Sequence, residues 1–254
     1  MSALLLRIIA CVAMLIDHIG LAWNINELRI IGRLAFPIFA FLLVNGYRHT
    51  KNLNKYILRL GIFALLSEVP YDLFLSRRAF NFGRQNVFFT LFLGLVMIAL
   101  IDILKEKSVF LAPIPVAVFC FSAMIIDCDY GYLGILTVLA FHLFYGTDAK
   151  NRTLLLLSIA FLSSWQAISF NIAEFIIVQT GFDLRDIRAL APFFYKSPAY
   201  IQMNRVFALI PIFLYNGEKG KAPKSKTAAK IMQLGFYAFY PVHMLIIYLI
   251  CKMG

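Results

Sequence analysis

The residues with the most chemical potential in this chain stand where charge is costly. Residues 4–23 read LLLRIIACVAMLIDHIGLAW, apolar over a full bilayer crossing yet carrying Arg7, Asp17 and His18. A charge in hydrocarbon costs several kcal/mol, so an ionisable residue there is a functional-site hypothesis by default. Arg7 and His18 are eleven positions apart. At about 100° per residue that is three turns plus roughly 20°, which puts both on one helical face about 16 Å apart along the axis. The spacing predicts a cation near one interface and a titratable imidazole deep in the membrane, both facing inward. Asp17 projects about 100° away from His18, so it need not bond the imidazole and is placed to pair with an arginine instead.

Other polar groups recur in apolar surroundings. Arg29 and Arg33 lie four apart, as do Glu68 and Asp72, with Pro70 between the carboxylates. Asn86, Thr90 and Gly94 form one helical stripe, Gln202, Asn204 and Arg205 open a later apolar run, and Tyr240, Pro241 and His243 sit inside the last one. Each has an ordinary reading as well. Arg7 can snorkel to an interface, Arg33 can pair with Glu68 or Asp72 as structural glue, and His243 alone would be a hydrogen-bonded core imidazole. His49 reads as a loop residue and His142 as a helix-end residue. Adjacent ionisable groups at Asp17 and His18 are harder to explain by packing.

The elements that must position these groups are transmembrane helices. Of the 254 residues, 61% are hydrophobic, against roughly 45–50% for a soluble domain, and the mean hydropathy is +0.80. The pattern predicts an all-α, polytopic integral membrane helix bundle forming one domain over residues 1–254. Nine spans are expected, at 4–23, 33–47, 56–75, 87–104, 109–126, 131–146, 153–170, 201–215 and 232–251. Residues 171–200 read as a re-entrant or interfacial hairpin, because IAEFIIVQTG is too short to span and Asp183–Arg188 is charged. Two crossings there would raise the number to eleven. The net charge of +11 gathers in short loops such as Lys105 and Lys107, Lys150 and Arg152, and Lys219 to Lys230. By the positive-inside rule those loops are cytoplasmic, which puts the N-terminus inside and the C-terminus outside a bacterial inner membrane. The polar residues then converge on the outer half. The basic balance needs no nucleic-acid partner, and Cys11, Cys120, Cys128 and Cys251 have no metal-ligand spacing.

The stretches LLLRIIACVAMLIDHIG at 4–20, LRIIGRLAFPIFAFLLVNGYRHTKNLNKYILRLGIFALLSEVPYD at 28–72 and FYAFYPVHMLIIYLI at 236–250 strongly resemble the TraX family, and 86–102 and 130–139 continue the match. The family's named member is implicated in N-terminal acetylation of conjugative pilin. The family resembles in turn a larger group of transmembrane acyltransferases, whose first helix carries an arginine and a histidine with ten residues between them. Arg7 and His18 have that spacing. The resemblance implies transfer of an acyl group, acetyl from acetyl-CoA, to an amine or hydroxyl, and leaves the acceptor open among a protein N-terminus, a lipid and a glycan of the envelope.

On these grounds the expected protein is a bilayer-embedded acyltransferase using cytoplasmic acetyl-CoA and no metal. Arg7, Arg48 and Lys51 are candidates for the inner mouth that attracts the donor's phosphates. His18 is the expected general base or acyl carrier, with His243 as second choice. Asp17, Glu68 or Asp72 would orient an imidazole or bind an amine, and Arg33 would stabilise the oxyanion. Arg29, Asn86, Arg205 and Tyr240 complete the expected substrate contacts. The alternative is a proton-coupled transporter or channel that uses the same ionisable groups as a relay.

Overall fold

Apolar runs become helices here, and the ends of those helices are set by small polar caps and left-handed residues. A computed structural model describes residues 1–81, 83–180, 199–221 and 225–253. Helix α1 (Ala3–Ala22) starts on Ser2, whose hydroxyl accepts from the Leu5 amide. Asn24 then adopts φ 58° and turns the chain into the short α2 (Asn26–Gly32) and on to α3 (Ala35–His49). Asn52 caps α4 (Leu53–Ser76), which stops at left-handed Arg77. Asn86 caps α5 (Val87–Lys107), and Pro113, with no amide proton to lose, opens α6 (Pro113–Ile125). Tyr130 and Gly131, both at positive φ, lead into α7 (Gly131–Leu143). Then follow α8 (Ala149–Thr180), α9 (Ala199–Met203), a 3-10 turn at Asn204–Ala208, α10 (Leu209–Phe213) and α11 (Lys226–Met253). The described residues are all-α apart from one bridge between Gln85 and Cys128.

Contacts sort the helix ends onto two faces. On the first, the Met1 amine donates to the Leu214 carbonyl at 2.7 Å and the Ala3 amide to Glu218 at 2.8 Å. Tyr145 at the end of α7 donates to Asn45 of α3, which donates to Tyr215. Tyr47 of α3 donates to Asp102 of α5, and Arg152 of α8 to the Phe213 carbonyl. On the opposite face, Arg33 meets Asp17, Arg84 meets Asp129, and Phe74 packs 5.5 Å from His18. Helix α11 runs alongside α1 in the same direction. Its Phe236 lies under Arg7, its His243 meets His18 ring edge to ring edge, and Tyr248 and Cys251 line one pocket with Leu21.

The core is apolar with a polar cluster set into it, and much of the outer surface is apolar too. Asp17, Arg33, Asp72, Asn86, Arg205 and His243 are buried among residues such as Leu6, Ile38, Leu60 and Ile98, while Leu58, Ile62, Leu65 and Leu66 make an exposed apolar row along α4. Among the described residues three helices, Ala3–Ala22, Val87–Lys107 and Thr227–Met253, are long and apolar enough to cross a membrane, and shorter apolar helices accompany them.

Several boundaries differ from the sequence reading. Residues 26–32, expected as loop, form α2, so Arg29 belongs to α2 and Arg33 caps its end rather than both opening a span. The predicted break at 170 is absent: α8 continues through 171–180, for a total of 32 residues. The apolar run IAEFIIVQT lacks the Gly or Pro that would stop a helix. The remainder of the expected hairpin, including Asp183–Arg188, lies outside the described residues. The span expected at 201–215 is two five-residue helices joined by the 3-10 turn that carries Arg205.

Candidate functional site

The site is built around two hydrogen-bonded, nearly coplanar imidazoles. Helix α11 presents His243, whose Nδ1 lies 2.6 Å from the Phe239 carbonyl one turn earlier. A carbonyl only accepts, so Nδ1 carries the proton and Nε2 of the neutral ring is an acceptor. That Nε2 lies 2.6 Å from His18 Nδ1, which must donate. The chain of bonds from Phe239 through His243 fixes the tautomer of His18 and leaves its Nε2 with the lone pair. The rings are 4.9 Å apart and nearly parallel, at 14°, so His18 is held in orientation as well as protonation.

Around His18 lies a cavity of about 290 Å³ lined by Arg29, Arg33, Arg84 and Arg205 together with Asp17, Asp127 and Asp129. Asp17 turns away from His18 and accepts from Arg33. Helix α2 reaches this pair by close approach. A Cβ on Gly32 would lie 2.2 Å from the Asp17 Cβ, so only glycine fits. Arg84 pairs with Asp129 at 3.0 Å. Tyr130 is the centrepiece of the far wall. It stacks on Phe36 at 3.9 Å, and Arg205 and Arg33 lie 4.8 and 5.9 Å from its ring centroid. Its φ of 63° is a left-handed conformation that costs a bulky residue about 1–2 kcal/mol, a strain of the kind found at binding sites.

A second, apolar slot approaches the imidazoles from the first face. It encloses about 110 Å³ between α1, α3, α4, α5 and α11, with Arg7 and Gln233 towards the first face and Tyr240 at the deep end. Arg7 lies over Phe236, and Arg59 lies over both Tyr56 and Tyr237, each within 5.5 Å of a ring centroid. The Tyr240 ring is 6.0 Å from His18 and 5.9 Å from His243. His18 lines the arginine cavity, and Tyr240, which lines the slot, stands between the slot and the histidine pair.

Comparison with known proteins gives the same alignment of the whole chain to one family. The TraX protein family matches residues 2–251. The chain belongs to the TraX family. It is also 30% identical over 259 residues to the probable fimbrial assembly protein FimC, serogroup H1, of Dichelobacter nodosus, covering 95% of this chain and 92% of that protein. No solved structure matches it.

In this TraX-family chain the structure brings together His18, Asp17, His243, Arg29, Arg33, Arg205 and Tyr240 around the cavity and slot. Other expected members fall elsewhere. Glu68 does not meet an arginine: it accepts from the Asn86 amide at 3.0 Å and from the Asn86 side chain. Asn86 also caps α5 and donates to the Ala64 carbonyl at 2.8 Å, so the pair ties α4 to α5. Asp72 accepts from the Asn81 amide at 2.7 Å and fixes the loop after α4. The pairing of Glu68 or Asp72 with Arg33, Arg29 or Arg205 is thus replaced by Asp17–Arg33, because α2 delivers Arg33 to α1 rather than to α4. Arg48 donates to the His142 carbonyl and stacks on Tyr145, away from the slot, and Arg59 stands beside Arg7 instead. His142 is no mere helix-end residue: it is buried and bonds Asp102 at 3.0 Å. Sequence reasoning missed Asp127, Asp129, Tyr130, Tyr71 and Arg59. The signal for the first three was present as DCDYG, two acids and a glycine turn between apolar runs.

Proposed function

We propose that this chain is a membrane-embedded acyltransferase that takes an acetyl group from acetyl-CoA on its N-terminal face and passes it to an amine or hydroxyl in the arginine-lined cavity. The observation that carries this reading is the position of His18, on the wall of the arginine cavity and one aromatic ring, Tyr240, away from the slot, with its lone pair on Nε2 fixed by His243 and Phe239. The slot suits the pantetheine arm of the donor, being apolar and narrow, with Arg7 and Arg59 near its entrance for phosphates. Thioester and nucleophile would meet at His18.

The step is written as a direct transfer. The acceptor N–H or O–H gives its proton to His18 Nε2 while its heteroatom bonds to the thioester carbonyl carbon. The C–S bond then breaks, and the leaving thiolate takes the proton from Nε2, giving acylated acceptor and free CoA. His243 bears part of the charge on the transient imidazolium through the shared hydrogen bond, as a positioning residue.

The nine-crossing arrangement belongs to this proposal. The alternation of helix ends between two faces accommodates it, and the first face carries Lys51, Lys105, Lys107, Lys150, Lys219 and Lys221 at its helix ends and connections, a basic clustering that favours the cytoplasm for that face. The cavity then opens on the outer side. The fimbrial assembly name of the Dichelobacter nodosus relative favours an envelope acceptor such as a pilus subunit. The test is mass spectrometry of envelope proteins, lipids and glycans from cells carrying the wild-type chain, the His18→Ala chain, or none. An acetylated species present only with wild type supports the proposal. Identical envelopes in all three would end it.

A further inference from the structure

Among the described residues, the arginine cavity is lined by four guanidinium groups and three carboxylates, and one of the guanidiniums stands apart. Two ion pairs form, Arg33 with Asp17 and Arg84 with Asp129. Arg205 is different. It is 4% exposed, its Nη2 donates to the neutral Gln202, and its Nε–H finds no acceptor. Among the described residues no carboxylate lies within ion-pair distance of it. The Tyr130 ring at 4.8 Å offsets only part of that charge. A buried guanidinium with an unfilled donor and no counter-ion, lining a cavity, is a costly arrangement for an empty site and a favourable one for a filled site.

We propose that Arg205 is the anchor for an oxyanion, a carboxylate or phosphate, carried by the acceptor. The guanidinium fork matches either group through two parallel hydrogen bonds. Arg205 and Arg33 both line the cavity, and the Nε of each has no acceptor within the protein, so neither guanidinium is fully satisfied by its neighbours. The cavity of about 290 Å³ also contains His18, so the anion and the reacting amine or hydroxyl must lie within a few bonds of each other. The acceptor class is therefore a small anionic unit, or the end of a chain bearing one, and not a neutral sugar or a neutral lipid. Calling the ligand an acceptor rests on the acyl-transfer reading, whereas the anion site stands independently of it.

The experiment titrates the purified full chain in detergent with inorganic phosphate, acetate and chloride at constant ionic strength, following thermal unfolding, and measures CoA release from acetyl-CoA in the same preparations supplied with envelope extract as the source of acceptor. Phosphate or acetate should raise Tm saturably while chloride does not, and the more effective anion names the acceptor's group. Arg205→Gln should weaken that binding by roughly tenfold or more and should fold without the anion, since it removes an unmatched charge. As a measure independent of that variant, phenylglyoxal should modify Arg205 in the wild-type chain, and the effective anion should protect it. Equal responses to all three salts, a response unchanged in Arg205→Gln, or no protection of Arg205 would overturn the proposal. Saturable anion binding in a chain that releases no CoA would keep the anion site and remove the acyl-transfer reading. CoA release without anion binding would do the reverse.

Discussion

At the residue scale the account turns on protonation and charge. His18 is given one tautomer by two hydrogen bonds, so its partner should matter for rate and not for binding. His243→Ala should lower kcat with little change in the KM for acetyl-CoA, and His243→Gln, whose amide oxygen can accept from His18 Nδ1, should restore part of the rate. Steady-state kinetics separate this from a packing defect, which would move both parameters and resist rescue. Asp17 and Arg33 form a buried pair, so removing one partner strands a charge. Arg33→Met should cost about 3–5 kcal/mol of stability, and Asp17→Asn with Arg33→Met should cost less than the two singles together. The same double-mutant cycle on Glu68 and Arg33 should show no coupling, because Glu68 is bonded to Asn86. Half of this was legible in the sequence. Arg7 and His18 share one helix, where spacing alone decides the face. The His18–His243 bond joins residues 225 positions apart, and a contact between two helices cannot be read from the periodicity of either.

At the scale of elements, helix cores were readable and the exceptions were not. Long apolar runs announce themselves, and α1, α4 and α5 fall close to their expected bounds. The irregular pieces carry the site: α2, the 3-10 turn holding Arg205, and the turn at Asp127–Gly131. Each is too short for a periodic pattern, and each is held in place by tertiary contact. Glycine 32 is the sharpest case. Gly32→Ala would push a Cβ against Asp17, so α2 should separate from α1, with a loss of roughly 1–3 kcal/mol and of the Asp17–Arg33 pair. Gly235→Ala in α11, where nothing lies within 4 Å of the added carbon, is the control and should not destabilise, since alanine favours the helix interior by roughly 0.5–1 kcal/mol. Parallel detergent-unfolding curves for the two variants check this, and equal effects would mean that the close approach of α2 does not hold the site.

At the scale of the whole molecule, two faces and one route between them make the account. Lys221 follows the segment bound to the N-terminus, and Arg78 is exposed just beyond α4 on the opposite face. Single cysteines at these positions, in a background lacking the native four, should react with an impermeant thiol reagent from opposite sides of intact cells, Arg78→Cys from outside. Labelling of both from one side would undo the assignment of faces. The most direct test of the central claim is CoA release from acetyl-CoA by the purified chain in lipid vesicles supplied with envelope extract as the source of acceptor. The account predicts release by wild type and a rate lower by roughly 10²–10⁴-fold for His18→Ala, with the variant still folded and inserted. Release at the wild-type rate by folded His18→Ala, or none by the wild-type chain supplied with envelope extract, would contradict it.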